Sequence, residues 1–366
     1  MRSLFRALAL PLAAALAVAA CGPGAGSPAP PSASSLPSSA PSEQASATAS
    51  PPANPVLSGT LVIYAGRSEE LVGPLITDFE KQTGLDVQVK YAGTTALTAT
   101  ILEEGDASPA DVFFAQDAGA LGAVASEGRL AALPADTLAK VDERFASDDG
   151  RWVGVSGRAR VVIYDTRTLT EAALPTSIEK FTDPAWKGRI GWAPTNASLQ
   201  SFVTAFRVLK GDAAASAWLK GIQANQPKVY EGNDAVLAAV AAGEVEVGFV
   251  NHYYLMRQLI EQGEAFPVRN HFLPGGDVGS LVNVAGVGIL STSKNPAAAQ
   301  AFIDFLLNEK SQTYFATETS EYPLIAGVSA DPKLPSLAEI QSPDIDLSDL
   351  SDLEGTLKIM QAAGVL

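Results

Sequence analysis

Between residues 59 and 115, short apolar runs alternate with helical patterns, and this alternation restricts the chain to an α/β architecture. Residues 59–64, Gly-Thr-Leu-Val-Ile-Tyr, form a nearly continuous apolar run of the kind found in strands buried on both faces. Leu71, Val72, Leu75, Ile76 and Phe79 then recur at helical spacing. Ser68 stands where an N-cap belongs, Glu69 and Glu70 fall in the first turn, and Gly84 follows the last turn. Residues 85–89 read as a second strand, 97–104 as a second helix and 111–115 as a third strand. An order of βαβαβ opens a doubly wound sheet.

The pattern continues downstream. Residues 189–192 and 246–250 read as strands, and 199–209, 213–223, 235–242 and 296–307 as helices. Two further strand-like stretches, 159–164 and 284–290, are placed to pass between two lobes. About 310 residues follow position 56, more than one comfortable core holds, so two lobes are expected. Two lobes joined by two crossings enclose a hinged cleft. Ligands of open α/β sheets bind beyond the carboxyl ends of strands, which selects the turns at 65–68, 116–117 and 251–254. The turn Thr195-Asn196-Ala197-Ser198 adds a helix start, where backbone N–H groups favour an anion.

The first 56 residues are of another kind. Arg2 and Arg6 precede an apolar run that ends at residue 20, too short to span a bilayer, and residues 1–20 read as a signal peptide. Val18-Ala19-Ala20-Cys21 resembles a bacterial lipobox, which implies cleavage before Cys21 and lipidation of its thiol; an ordinary secretory signal is the alternative. Cys21 is the chain's one cysteine, so no disulfide forms within it. Residues 21–56 are dominated by Pro, Ser and Ala, with Glu43 the one charge, and read as an extended tether. The net charge is −15, and loss of Arg2 and Arg6 takes it to −17. So acidic a body argues against nucleic acid and against direct binding to anionic lipid. The body carries no Gly-x-Ser-x-Gly elbow, Walker loop, catalytic cysteine or His-Glu-x-x-His motif, and no catalytic residue is assigned.

Tyr253 and Tyr254 follow an apolar strand at its carboxyl end. Phenolate oxygen is a hard anionic donor suited to a hard trivalent cation. A free phenol titrates near ~10, so the cation itself must displace the proton. The plainer reading is that one ring packs and the other closes the strand end with a hydroxyl bond. His252 and His271 read as structural, because neither has partners at metal-ligand spacing.

Several stretches resemble the ferric-ion-binding proteins of bacterial iron ABC importers: residues 61–64, 109–114, 156–165, 186–191, 221–243, 251–254 and 321–324. Their order and spacing agree over most of the body. The resemblance implies a two-lobed periplasmic-binding fold of type II that closes on its ligand. It implies iron ligation by Tyr253 and Tyr254. Members of that family place a histidine where this chain has Ser68 and a glutamate where it has Gln116. Some relatives carry arginine in the first turn and bind iron with carbonate, which suits Arg67. Asp117 is a further candidate oxygen donor or a helix cap. The turn 195–198 matches the family's anion-holding turn, and Asn251 matches a position near the anion.

The expected division is a first lobe of residues 57–160 plus 285–335 and a second of 161–284 plus 336–366. The expected function is that of an extracytoplasmic, lipid-anchored, monomeric solute-binding lipoprotein. Its cargo is Fe(3+) held with a synergistic anion such as carbonate or phosphate. Its partners are the ABC permease and ATPase subunits. The alternative keeps the fold and changes the cargo to a phosphonate, amine or organic anion. An enzyme or adhesion module on the same tether is a third class.

Overall fold

The computed structural model describes residues 57–366; the expected leader, Cys21 and tether lie outside the described residues. The βαβαβ opening forms as β1 (Thr60–Ala65), α1 (Glu69–Thr83), β2 (Asp86–Tyr91), α2 (Thr94–Glu104) and β3 (Val112–Ala115). β1 pairs in parallel with both β2 and β3. α1 ends at Gly84 in the left-handed region (φ 71°), where a side chain would be strained. Ser68 occupies the N-cap position of α1 but its hydroxyl makes no cap bond.

α3 (Ala118–Ser126) and the short α4 (Ala135–Leu138) lead to β4 (Val153–Asp165), a strand buried along its whole length. Then come β5 (Ile190–Trp192), α5 (Ala197–Lys210), α6 (Asp212–Ala224), β6 (Lys228–Val229), α7 (Asn233–Ala242), β7 (Val247–Asn251), α8 (Tyr253–Gln262) and β8 (Val268–His271). β9 (Val282–Ile289), α9 (Pro296–Leu306), α10 (Glu309–Thr317) and α11 (Leu353–Ala362) complete the described elements.

The strand order is β2-β1-β3-β9-β4-β7-β5-β6, with β8 also on β4. β4 has two halves with different partners. Residues 153–159 pair with β9, whereas 160–164 pair with β7 and 162–165 with β8, all antiparallel. One arm of the sheet therefore ends in the first half of β4 and the other begins in its second half. β9 pairs only with β3 and the first half of β4. Its strand-like pattern was expected to mark a crossing, but β9 lies within the first arm. The chain returns just before it, where Arg160 N–H donates to the Leu281 carbonyl.

Each arm has its own aromatic packing. In the first, Phe79 meets Phe302 and Phe305 at ring distances of 5.1 and 5.3 Å. In the second, Trp218 packs against Phe202, Phe206 and Phe249 at 5.2 to 6.1 Å. Burying each such ring contributes roughly 2–3 kcal/mol. Among the described residues no helix is long and apolar enough to cross a membrane.

The C-terminal segment, assigned from sequence to the second lobe alone, touches helices behind both arms. The turn Leu347–Ser351 lies against α3 so closely that a Cβ on Gly119 would sit 2.8 Å from the Leu350 carbonyl. α11 is held to α5, with Thr204 and Thr356 hydroxyls 2.8 Å apart and Arg207 donating to Asp352 at 2.8 Å.

Candidate metal-binding cleft

The turn after β1 is pulled inward by Gly66, whose N–H donates to the Phe114 carbonyl at 2.7 Å. A Cβ there would lie 2.0 Å from Thr94 Oγ1, so this approach to α2 requires glycine. Arg67 is thereby buried. Its Nη2 donates to both oxygens of Glu321, at 2.7 and 2.8 Å, and its Nε finds no acceptor. Glu321 is fully buried and also accepts from Ser156 Oγ at 3.1 Å and Thr319 Oγ1 at 3.0 Å. Burial works to lower the pKa of Arg67, but the Glu321 carboxylate and the two nearby tyrosines outweigh it and raise it.

The opposite wall begins where β7 ends. Tyr253 and Tyr254 follow the strand as expected and are the first two residues of α8, whose inner face is completed by Leu255, Met256 and Leu259. The rings stack at 4.2 Å with planes 27° apart. Tyr253 is fully buried and its hydroxyl has no hydrogen-bond partner. Burial, then the neighbouring Tyr254, pushes its pKa well above the ordinary phenol value; Arg67, 5.9 Å from the ring centre, opposes this. A buried hydroxyl without a partner forfeits about 1–3 kcal/mol, and such an exception points to an absent ligand.

His252 is not a ligand. Its Nδ1 accepts from Ala159 N–H at 3.1 Å, which leaves Nε2–H to donate to the Ser320 carbonyl at 2.9 Å. Burial lowers its pKa to about 4, so the ring is neutral at pH 7. His271 is likewise structural, between Glu171 at 3.3 Å and the Pro175 carbonyl at 3.1 Å.

Two more arginines lie beneath the rings. Arg158 donates to the Val284 carbonyl at 3.1 Å and leaves Nε and Nη1 unpartnered. Burial, then repulsion from Arg67, lowers its pKa. Arg160 donates to Ser198 Oγ at 3.2 Å and Asn251 Oδ1 at 3.3 Å, and burial lowers its pKa to about 9. Arg67 has Glu321 beside it and Arg158 has Glu321 and Asp117, whereas Arg160 has no carboxylate among its charged neighbours, an arrangement that favours anionic groups nearby.

A cavity of about 420 Å³ opens between the walls. Of the residues singled out from sequence, Arg67, Ser68, Gln116, Asn196, Tyr253 and Tyr254 line it. The others take supporting places. Asp117 caps α3 by accepting from Ala120 N–H at 3.1 Å, accepts from Ser201 at 2.6 Å, and has its pKa raised by burial. Thr195 is exposed, Ala197 is a buried first residue of α5, and Ser198 and Asn251 hold Arg160. The start of α5 is already capped: Asn196 Oδ1 accepts from Ser198 N–H at 3.0 Å and Ser198 Oγ at 2.7 Å.

Sequence reasoning did not single out Glu321, Glu70, Tyr91, Asp234 or Arg257 as site residues. Glu321 is 254 positions from Arg67 and carries no local signal. Arg257 was accessible through helical spacing, four residues after Tyr253 on α8. It donates across the cleft to Glu70 on α1. Thr95 on α2 makes a second such link, donating to Gln200 on α5 at 2.7 Å. Among the described residues no three His, Cys, Asp or Glu side chains gather as a metal site.

The sequence profile of bacterial extracellular solute-binding proteins matches residues 74–342. The Fe(3+)-binding periplasmic protein of Serratia marcescens is 34% identical over 308 residues, covering 84% of this chain and 90% of that protein. The structure of iron-bound HitA from Pseudomonas aeruginosa superposes with a TM-score of 0.80 at 35% identity, covering 83% of this chain and 99% of that one. A Trichodesmium protein (IdiA, FutA) in complex with iron and citrate superposes with a TM-score of 0.72 at 29% identity, covering 84% of this chain and 100% of that one.

Proposed function

Because this chain belongs to the bacterial extracellular solute-binding protein family and, within it, to the ferric-ion-binding proteins, we propose that it captures ferric iron outside the cytoplasm for uptake by an ABC importer. Its fold is the type II periplasmic-binding fold. The observation that carries the reading is the stacked Tyr253–Tyr254 pair with its unpartnered buried hydroxyl, lining a solvent-connected cavity.

In this reading both phenols lose their protons to the incoming cation, because a trivalent charge outweighs the burial that otherwise keeps them neutral. Two phenolates leave one positive charge on the metal and several coordination positions open. A small oxyanion such as carbonate or phosphate fills part of the remainder, held by Arg67 and by donors near the start of α5. Since Asn196 already caps that helix, the oxyanion must take the Ala197 N–H or displace the Asn196 amide. Protons compete with iron for phenolate, so acidification weakens binding.

Closure follows from the same geometry. The two arms of the sheet form the two lobes, and the Arg257–Glu70 and Thr95–Gln200 contacts hold them together over the cargo. We take the lobes to be residues 57–160 plus 285–335 and 161–284 plus 336–366, with the C-terminal turn touching both. Cys21 carries the lipid anchor, the tether holds the monomer off the membrane, and the permease and ATPase take the iron onward. Replacing Cys21 by Ser releases the protein from the membrane fraction; a variant that stays bound refutes the anchor.

The decisive test is a ferric titration of the wild type and the Tyr253→Phe/Tyr254→Phe variant, each with and without carbonate. The wild type develops a visible phenolate-to-iron absorption that depends on the anion, and the variant remains colourless though folded. Equal iron binding by both overturns the assignment. A colourless wild type that binds a phosphonate or amine favours the organic-solute reading.

A further inference from the structure

The cavity contains two acids besides the tyrosines, Glu70 and Asp234. Their situations differ. Glu70 is engaged by Arg257 across the cleft. Asp234, in the first turn of α7, is in no ion pair among the described residues, although it lines the same cavity as both phenols. The preceding residue fixes its backbone: Asn233 is buried, and its Nδ2 donates to Ser198 Oγ at 3.2 Å and Asn196 Oδ1 at 3.5 Å. Asp234 is thus carried on a helix start held by its neighbour, and its carboxylate lines the cavity without a side-chain partner among the described residues. It is more exposed than the tyrosines, as suits a group that must meet a cargo arriving from solvent.

Charge and hardness then select its role. A trivalent ion bound by two phenolates retains one positive charge, and one carboxylate neutralises it. The positions after β1 and β3 hold Ser68 and Gln116, neither an anionic donor. In the same cavity the Tyr253 hydroxyl is fully buried and unpartnered, an independent sign that a ligand belongs there. We infer that Asp234 is a third protein donor to the ferric ion, a carboxylate supplied from the start of α7 beside the oxyanion. This rests on the iron reading above and deepens it. The surroundings agree: partial burial raises the Asp234 carboxyl above its ordinary range, Arg257 pulls it back, and Glu70 pushes it up.

The test loads wild type, Asp234→Asn, Asp234→Glu and Glu354→Gln with ferric ion and carbonate. It records the absorption maximum and the iron affinity against a competing chelator. Loss of an anionic donor makes the metal a better electron acceptor. The Asp234→Asn maximum therefore moves to longer wavelength, and affinity falls by at least about tenfold. Asp234→Glu restores most of both, and Glu354→Gln, an exposed acid on α11 outside the cavity, leaves the maximum in place. Iron-free melting of all four proteins agrees, which excludes misfolding. An Asp234→Asn maximum identical to wild type overturns the inference, whether or not affinity falls, because a carboxylate acting only at a distance does not change the metal's ligands. A wild type with no absorption overturns the iron reading itself and this inference with it.

Discussion

The cleft wall at the start of α1 and the wall at the start of α8 are built alike and furnished differently. Each is a turn from the carboxyl end of a buried strand into a helix, with polar side chains on the cavity. On the α1 side the charge is paired: Arg67 Nη2 has Glu321, which has two further hydroxyl donors, and only the Arg67 Nε is left without an acceptor. On the α8 side the Tyr253 hydroxyl has nothing. A satisfied buried group shapes the site, and an unsatisfied one is held ready for a partner. Residue type alone does not make that distinction, since arginine and tyrosine are both plausible contacts of an iron–anion pair.

The contrast can be broken hardest from the α1 side. Glu321→Ala strands a buried guanidinium and should remove about 3–5 kcal/mol of iron-free stability. Urea unfolding checks this, and a loss below 1 kcal/mol would mean water or another acid already serves Arg67. Tyr253→Phe tests the other wall. Deleting a hydroxyl without a partner should leave iron-free stability unchanged or raised by about 1 kcal/mol, while iron affinity and colour weaken. A clear destabilisation would reveal a partner for that hydroxyl. Glu70→Gln removes the link between the walls. An exposed ion pair contributes little, so chelator-driven iron release should accelerate about two- to fivefold at low salt, and the difference should vanish at high salt. Ser68→Ala should change stability least, by under about 0.5 kcal/mol, because a serine that makes no cap bond has no cap to lose.

Much of this architecture was legible in the chain. The buried runs of β1, β3 and β7 and the apolar spacing of α1, α5 and α6 are short-range signals, and each element formed within a few residues of its expected bounds. The tyrosine pair was visible because two phenols at a strand's end are chemically conspicuous. Other features depend on distant residues. The first half of β4, Val-Gly-Val-Ser-Gly-Arg, is interrupted by glycine and polar residues and becomes a strand because β9 pairs with it. A Cβ on Gly154 would meet the Phe145 carbonyl at 2.9 Å, so that glycine reflects crowding from elsewhere in the chain. Asp234, Glu70 and Arg257 look like ordinary surface charges until α1, α7 and α8 bring them to one cavity. Glu321 was read only as part of a family stretch, because nothing near it announces a buried arginine.

The partnership of β3 with β9 also sets the order in which the molecule can assemble. Phe113 lies opposite Gly288, and the first half of β4 is bonded on the far side of the same strand. The sheet that begins at residue 60 therefore stays open at β3 until residue 289 has been synthesised. Pairings of such long sequence separation form slowly, since loop closure precedes any gain from contact. Through most of its synthesis the nascent chain has no finished sheet to lock. The strand that completes the first arm of the sheet is among the last to emerge.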